Sequence, residues 1–313
     1  MDKPTFDPGL TQQFGAPLRR IINKDGTFNV RRHGVTWRDI HPYLYLINMP
    51  WPAFFTVVFL AYLVANTVFA LAYFIIPGVE LKGADAATEF GRFLEMFFFS
   101  AQTLTTVGYG GIAPHGVPAN VLSSLESMVG VMGFALATGL LFGRVSKPSA
   151  RIGFSERMAI APYQDGRSLQ FRIVNKRLNS LMDLEAKMML MTVEGAGESS
   201  VPKRTYQILK LERESVYFFP LTWTVVHPIV EGSPLYGKTF AELEKLQAEV
   251  LILIKGYDDT FSQTVHARYS YRYDEVEWGA RFAPAFHVDE AGDLVLEVNK
   301  VGALTAADSP SAA

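Results

Sequence analysis

Five consecutive residues, Thr106-Val107-Gly108-Tyr109-Gly110, carry chemistry in their main chain rather than in their side chains. Gly108 and Gly110 admit backbone angles closed to residues with a β-carbon. Successive carbonyls can then turn toward one axis while Val107 and Tyr109 pack outward, and the Thr106 hydroxyl adds an oxygen at the inner end. Rings of such carbonyls can replace the water shell of a dehydrating monovalent cation. Gly108-Tyr109-Gly110-Gly111-Ile112-Ala113 also fits a G-x-G-x-x-A dinucleotide pattern, which requires a strand before it and a helix after it in a βαβ unit. Neither surrounds it. A second candidate is Glu126, the one formal charge between Val117 and Phe142. Carboxylates in such apolar runs face protein, water or an ion path.

The flanking elements decide what the loop does. Trp51 to Ile76 contains no formal charge, and as a helix it exceeds the roughly 30 Å of a bilayer's hydrocarbon core. Val117 to Phe142, closed by Arg144 and Lys147, is a second such run. Phe93 to Thr106 is apolar and aromatic but too short to cross, which predicts a re-entrant helix whose C-terminal end, at Thr103 to Thr105, points partial negative charge at a cavity. Two helices and one re-entrant loop cannot enclose a path, so the reading requires four copies around an axis. Four TVGYG loops arranged in this way select K+. Arg19, Arg20, Lys24, Arg31, Arg32 and Arg38 precede the first span and Arg144, Lys147, Arg151 and Arg157 follow the second, against Lys82 and Arg92 between them. Both termini are therefore expected in the cytoplasm.

The remaining chain divides into residues 1–34, a flexible tail; 35–49, an interfacial slide helix; 50–147, the transmembrane pore domain; 148–304, a cytoplasmic β-sandwich; and 305–313, a disordered tail. The slide helix rests on Trp37, Ile40, Leu44 and Ile47 at spacings of three and four. Pro42 predicts a kink there or a helix starting close by, and a plain loop is the alternative. The sandwich rests on short β-rich runs, among them Leu169 to Val174 and Val250 to Ile254, separated by turn signals such as Asp165-Gly166 and Gly292-Asp293. Composition narrows the function classes. A net charge of −2 and the absence of a basic run argue against a nucleic-acid partner. Zero cysteines among 313 residues exclude disulfides and thiolate chemistry. The six histidines lack ligand spacing, and neither a phosphate loop nor a nucleophile elbow occurs. An enzyme is not expected, nor is any cofactor beyond K+ as permeant ion.

The chain resembles the inward-rectifier potassium channels, in particular the bacterial KirBac type. The resemblance is carried by the filter and by Trp37-Arg38-Asp39, Trp51-Pro52, Lys147-Pro148, His227-Pro228-Ile229-Val230-Glu231-Gly232-Ser233-Pro234-Leu235-Tyr236-Gly237, His266-Ala267-Arg268 and Glu277-Trp278-Gly279. It covers roughly residues 35 to 300. It implies a membrane α-helical pore followed by an all-β immunoglobulin-like cytoplasmic domain, a homotetramer, and placement in a bacterial inner membrane.

By position, the resemblance makes Phe142 an apolar gate, with Phe134 and Thr138 lining the pore; a lipid-facing Phe142 is the alternative. Phe134 stands where strongly rectifying animal relatives carry an acid, implying weak polyamine block. Gly133 is a hinge candidate, and Gly130 and Gly139 allow bending or close packing. Glu126 and Phe142 lie about 160° apart on a straight helix, so with Phe142 on the axis Glu126 packs against the filter segment; direct ion contact is the alternative. Gln102 and Ile112 replace the acid and base that brace the filter in animal members, so the bracing must differ. Asp183 and Glu185 fall along the cytoplasmic path, or else on an ordinary solvated strand face; Thr264 and His266 fall on the loop that narrows that path, or else on a purely structural hairpin. Arg144, Lys147 and Arg151 are placed for anionic lipid, or else for simple snorkelling. Two rival functions stay open, a weakly selective cation channel on the same scaffold and a non-conducting membrane-anchored β-sandwich receptor.

Overall fold

A computed structural model describes residues 8–10, 20–34, 36, 41–147, 150–194 and 202–307. The chain forms two compact units, one helical from His33 to Lys147 and one β-rich, made of residues up to Arg32 together with those from Pro148 onward.

The helical unit begins with α1 (Pro42–Asn48). Pro42 opens it, where the missing N–H would have no helical partner. Residues 37–40 of the expected slide helix lie outside the described residues. Next come α2 (Trp51–Ile75), β1 (Glu80–Lys82), α3 (Glu89–Leu104), β2 (Ala113–His115) and α4 (Gly116–Val145). Helices α2 and α4 are long and apolar enough to cross a membrane. The 16 residues of α3 span about 24 Å, short of a bilayer core. Its start is fixed by Thr88, whose hydroxyl accepts from Gly91 N, an N-cap of the usual kind. Strands β1 and β2 pair antiparallel, tying the chain before α3 to the chain after the TVGYG loop. At Gly83 an added Cβ would lie 2.2 Å from Gly111 O, so that closure needs a glycine. Ala70, Tyr73, Met96 and Phe99 form the small core between α2 and α3.

The β unit contains β3 (Ile152–Phe154), β4 (Met158–Tyr163), β5 (Gly166–Asn175), β6 (Leu181–Glu194), β7 (Lys203–Ile208), β8 (Ser215–Phe218), β9 (Thr222–Ile229), α5 (Phe240–Lys245), β10 (Glu249–Asp258), β11 (Gln263–Arg272) and β12 (Val276–Trp278). Three-residue strands follow: β13 (Ala280–Phe282), β14 (Phe286–Val288), β15 (Leu294–Leu296) and β16 (Leu304–Ala306). One five-stranded sheet runs β11-β10-β6-β7 with β8 also on β6, and the other runs β12-β4-β5-β3 with β9 on β5. Phe171, Ile173 and Val225 of one sheet meet Leu184, Met188, Ile252 and Tyr271 of the other in a shared core. Alternating burial along β6 and β10 gives each strand an inward apolar row and an outer face. Helix α5 starts in a capping box between Thr239 and Glu242, which satisfies two end groups at once.

Both expected tails differ from the structure at their inner ends. Ile22 is buried against Met191, Val193, Tyr206 and Leu251, on the outer side of the first sheet. Ser270 Oγ donates to Ile22 O at 2.7 Å, Ile21 N donates to Glu249, and Lys24 and Arg20 pair with Glu275. Residues 20–30 are thus an ordered part of the β unit, because their two isoleucines cover an apolar patch that the sandwich leaves open. At the other end β16 pairs with β13, so Thr305 and Ala306 extend the domain past residue 304. Residues 308–313 lie outside the described residues.

One buried histidine makes this unit sensitive to acid. His227 Nδ1 donates to Lys210 O at 2.6 Å and Nε2 accepts from Ser233 Oγ at 2.8 Å, an arrangement that suits the neutral ring. Burial pushes its pKa below the ordinary 6.5. The unfolded chain then binds more protons than the folded one in the interval below 6.5, so the contribution is complete above that pH and is lost as pH falls through the folded value. Denaturant midpoints of the full chain should fall on acidification below pH 6.5, and His227→Gln should flatten that part of the profile; an equally steep profile in the variant contradicts this.

Candidate functional site

The loop after α3 has an alternating backbone. Thr106, Gly108 and Gly110 have φ of 62°, 56° and 81°, all left-handed, whereas Val107 and Tyr109 are not among the positive-φ residues. For the glycines this costs little, but for a β-branched threonine it stores strain of order 1–2 kcal/mol that the surroundings must offset. Successive peptide planes are flipped relative to a strand, and their carbonyls can point the same way. Gln102 holds the loop: its main-chain O accepts from Val107 N at 2.9 Å and Gly108 N at 3.2 Å, and its side-chain Oε1 accepts from Tyr109 N at 3.0 Å. Three N–H groups are thereby satisfied on the helix side, leaving the carbonyls of the loop for a ligand. Ile112, at the other substituted bracing position, packs instead with the apolar cluster of α2 and α3.

Glu126 is fully buried. Tyr73 OH donates to Oε2 at 2.7 Å and Ser100 Oγ contacts Oε1 at 2.5 Å. Asn66 lies 3.2 Å beyond Ser100 and donates to Tyr62 O. Thus α2, α3 and α4 meet in one polar cluster behind the loop. Asn66, Tyr73 and Ser100 were not singled out from sequence; polar residues standing alone in apolar or aromatic runs were the available signal. Gly130, one turn further along α4, is where α4 touches the end of α3. A Cβ there would lie 2.0 Å from Leu104 O. A Cβ at Gly133 would meet no side chain or other element within 4 Å among the described residues. Phe134, Thr138 and Phe142 follow at one-turn spacing on an exposed stripe of α4, the two phenylalanines 76% and 71% exposed in the single chain.

The three basic candidates separate. Arg144 is 9% exposed. Its guanidinium donates to the carbonyls of Leu46, Ile47 and Met49 and lies 4.5 Å from the rings of both Trp51 and Phe54. Lys147 is exposed and donates to Asn48 Oδ1, and Arg151 is an exposed residue of the β unit. Within that unit, strand register sets Glu185 opposite Lys255 and Lys255 opposite His266. Lys255 Nζ lies 3.3 Å from Glu185. Thr264 is two positions along from His266 on the same exposed face, beside Tyr257. Asp183 lies where the β6–β10 register shifts, with φ of 49°. Lys255 is the member of this row that sequence reasoning missed.

The loop after α3 lies between two membrane-length helices, and residues 53–147, which contain it, match the family described as Ion channel. Residues 152–313 match the Inward rectifier potassium channel C-terminal domain. The chain is 37% identical over 284 residues to Inward rectifier potassium channel Kirbac3.1 of Paramagnetospirillum magnetotacticum, covering 90% of this chain and 94% of the relative. It is 24% identical to the G protein-activated inward rectifier potassium channel 2 of Homo sapiens, over 87% of this chain and 69% of that one. Identity to the G protein-activated inward rectifier potassium channel 3 of Mus musculus is 26%, over 92% and 79%. The chain belongs to the inward-rectifier potassium channel family. Its relatives and domains are those of membrane ion channels, not of enzymes.

Proposed function

We propose that four copies of this chain form a K+-selective channel of inward-rectifier type, with Thr106 to Gly110 as its filter and Phe142 as an apolar constriction. The supporting observation is the alternation of left-handed residues at 106, 108 and 110, fixed from behind by Gln102. Carbonyls so aligned offer a dehydrating cation the oxygens it has lost, and α3 directs its C-terminal dipole to the same end. Phe134 and Phe142 are apolar side chains exposed on one stripe of α4, a surface suited to a narrow pore that closes by dewetting. Gly133 bends α4 on opening. Asp183, Glu185, Thr264 and His266 line the continuing cytoplasmic path. The channel resides in a bacterial inner membrane with both termini in the cytoplasm, and anionic lipid modulates it through Lys147 and Arg151.

Purified protein in liposomes should take up rubidium in a manner that sodium cannot replace. Phe142→Ala should raise basal uptake several-fold, since the dewetting ring is removed. Equal sodium and rubidium uptake would favour the weakly selective channel, and a tetramer without flux in any lipid would favour the receptor. Unchanged uptake in Phe142→Ala sinks the gate assignment alone.

A further inference from the structure

The sheet built around β10 carries a charged row on its outer face. Strand register sets Glu185 opposite Lys255 and Lys255 opposite His266, while the flanking Leu184, Ala186, Ile254 and Val265 are buried in the shared core. All three side chains of the row therefore point away from that core. Lys255 Nζ lies 3.3 Å from Glu185, with both side chains about half exposed. The next row, two residues along, is Lys187, Leu253 and Arg268. In these two rows Glu185 is the one carboxylate, against the cations Lys187, Lys255 and Arg268. Asp183 is exposed as well, but it sits at the register shift with φ of 49°, where strand alternation no longer fixes its direction.

That sign is the opposite of what a surface conducting K+ calls for. This inference rests on the reading that Glu185, Thr264 and His266 line the cytoplasmic path. Lys255 then lines it too, because residues directly opposite in adjacent strands share a face. Four copies place four carboxylates and four ammoniums around one axis. Charges along a narrow, low-dielectric passage act together, and a ring of one sign raises or lowers the local concentration of the permeant ion. The carboxylates alone would draw K+ in; an ammonium beside each cancels that attraction. Stability is a poor reason for the pair, since exposed ion pairs contribute little to it. We propose that Lys255 throttles cation entry to the cytoplasmic path by neutralising Glu185 in every copy.

The chain contains no cysteine, so a single thiol at position 255 can be given either sign. Full-length Lys255→Cys would be labelled to completion in detergent with a methanethiosulfonate bearing a sulfonate or a trimethylammonium group, then reconstituted in liposomes. In low salt the sulfonate adduct should take up rubidium several-fold faster than the ammonium adduct. The gap should close in high salt, because the Debye length falls from about 30 Å at 0.01 M to about 3 Å at 1 M. Lys255→Gln, which removes the charge without a label, should likewise exceed wild type in low salt only. Thr264→Cys, labelled in the same two ways, tests the path itself. If the adducts at 264 differ in uptake and those at 255 do not, the path stands and the role of Lys255 falls. If neither position distinguishes the labels, the face is an ordinary solvated surface and the path reading falls with the proposal. Slower uptake by the sulfonate adduct at 255 also overturns it.

Discussion

Gly130→Ala is expected to abolish most rubidium uptake while Gly133→Ala leaves the packing of α3 on α4 intact. The added methyl at Gly130 would stand 2.0 Å from Leu104 O and 2.8 Å from its carbonyl carbon. Both are main-chain atoms, so no rotamer relieves the overlap and α3 must move. Overpacking of this kind costs about 1–3 kcal/mol, and more where backbone is involved. The strain is delivered two residues from Gln102, which holds Val107, Gly108 and Tyr109. A shift of a few tenths of an ångström in that residue alters three hydrogen bonds at once. Uptake should fall about tenfold or more, as a loss of 1.4 kcal/mol in the population of competent filters would give. Wild-type uptake by Gly130→Ala would show that α4 and the filter segment are not packed as described.

The contrast between those two glycines also marks where sequence stops being informative. Both sit in an apolar helix, and residue type alone offered Gly133 as a hinge and Gly130 as either bend or close contact. Only the position of Leu104, 26 residues away, separates them. The membrane-length helices and the TVGYG loop were legible because their signals are local: uninterrupted apolar length and two glycines at alternate positions. Residues 20–30 were illegible for the opposite reason. Two isoleucines among charges look like a tail until Glu249, Ser270 and Glu275, more than 200 residues on, supply the partners. Similarly, Gln102 could be recognised as a departure from the animal pattern, but its acceptor role toward Tyr109 N depends on the left-handed turns that bring the loop back over α3. Glu126 shows the intermediate case. Its angular offset from Phe142 predicted a place against the filter segment; its partners are Ser100, within that segment on α3, and Tyr73 of α2, which the offset could not name.

Arg144 and Lys147 are expected to fail in different ways, although sequence alone groups them as one basic cluster. Helix α1 ends with carbonyls that lack helical partners, and the Arg144 fork takes those of Leu46, Ile47 and Met49. Trp51 and Phe54 stack on it at 4.5 Å. Hydrogen bonds to a charged group contribute about 1.5–3 kcal/mol each and a desolvated cation–π contact about 2. Arg144→Ala, which removes this clamp, should therefore lower the thermal midpoint by several degrees. Arg144→Lys should rescue little, because an ammonium cannot reproduce the planar fork. Since Arg144 lies two residues past Phe142, both variants should change flux at every lipid composition, by freeing the last turn of α4 from α1. Lys147→Ala, at an exposed site whose ammonium donates to Asn48 Oδ1, should keep the wild-type midpoint and blunt only the response to anionic lipid, because headgroup attraction scales with accessible charge. Melting curves and uptake across a series of anionic-lipid fractions distinguish the two. If Arg144→Lys melts like wild type and loses only its lipid response, the guanidinium faces headgroups and the clamp is not what couples α1 to the constriction.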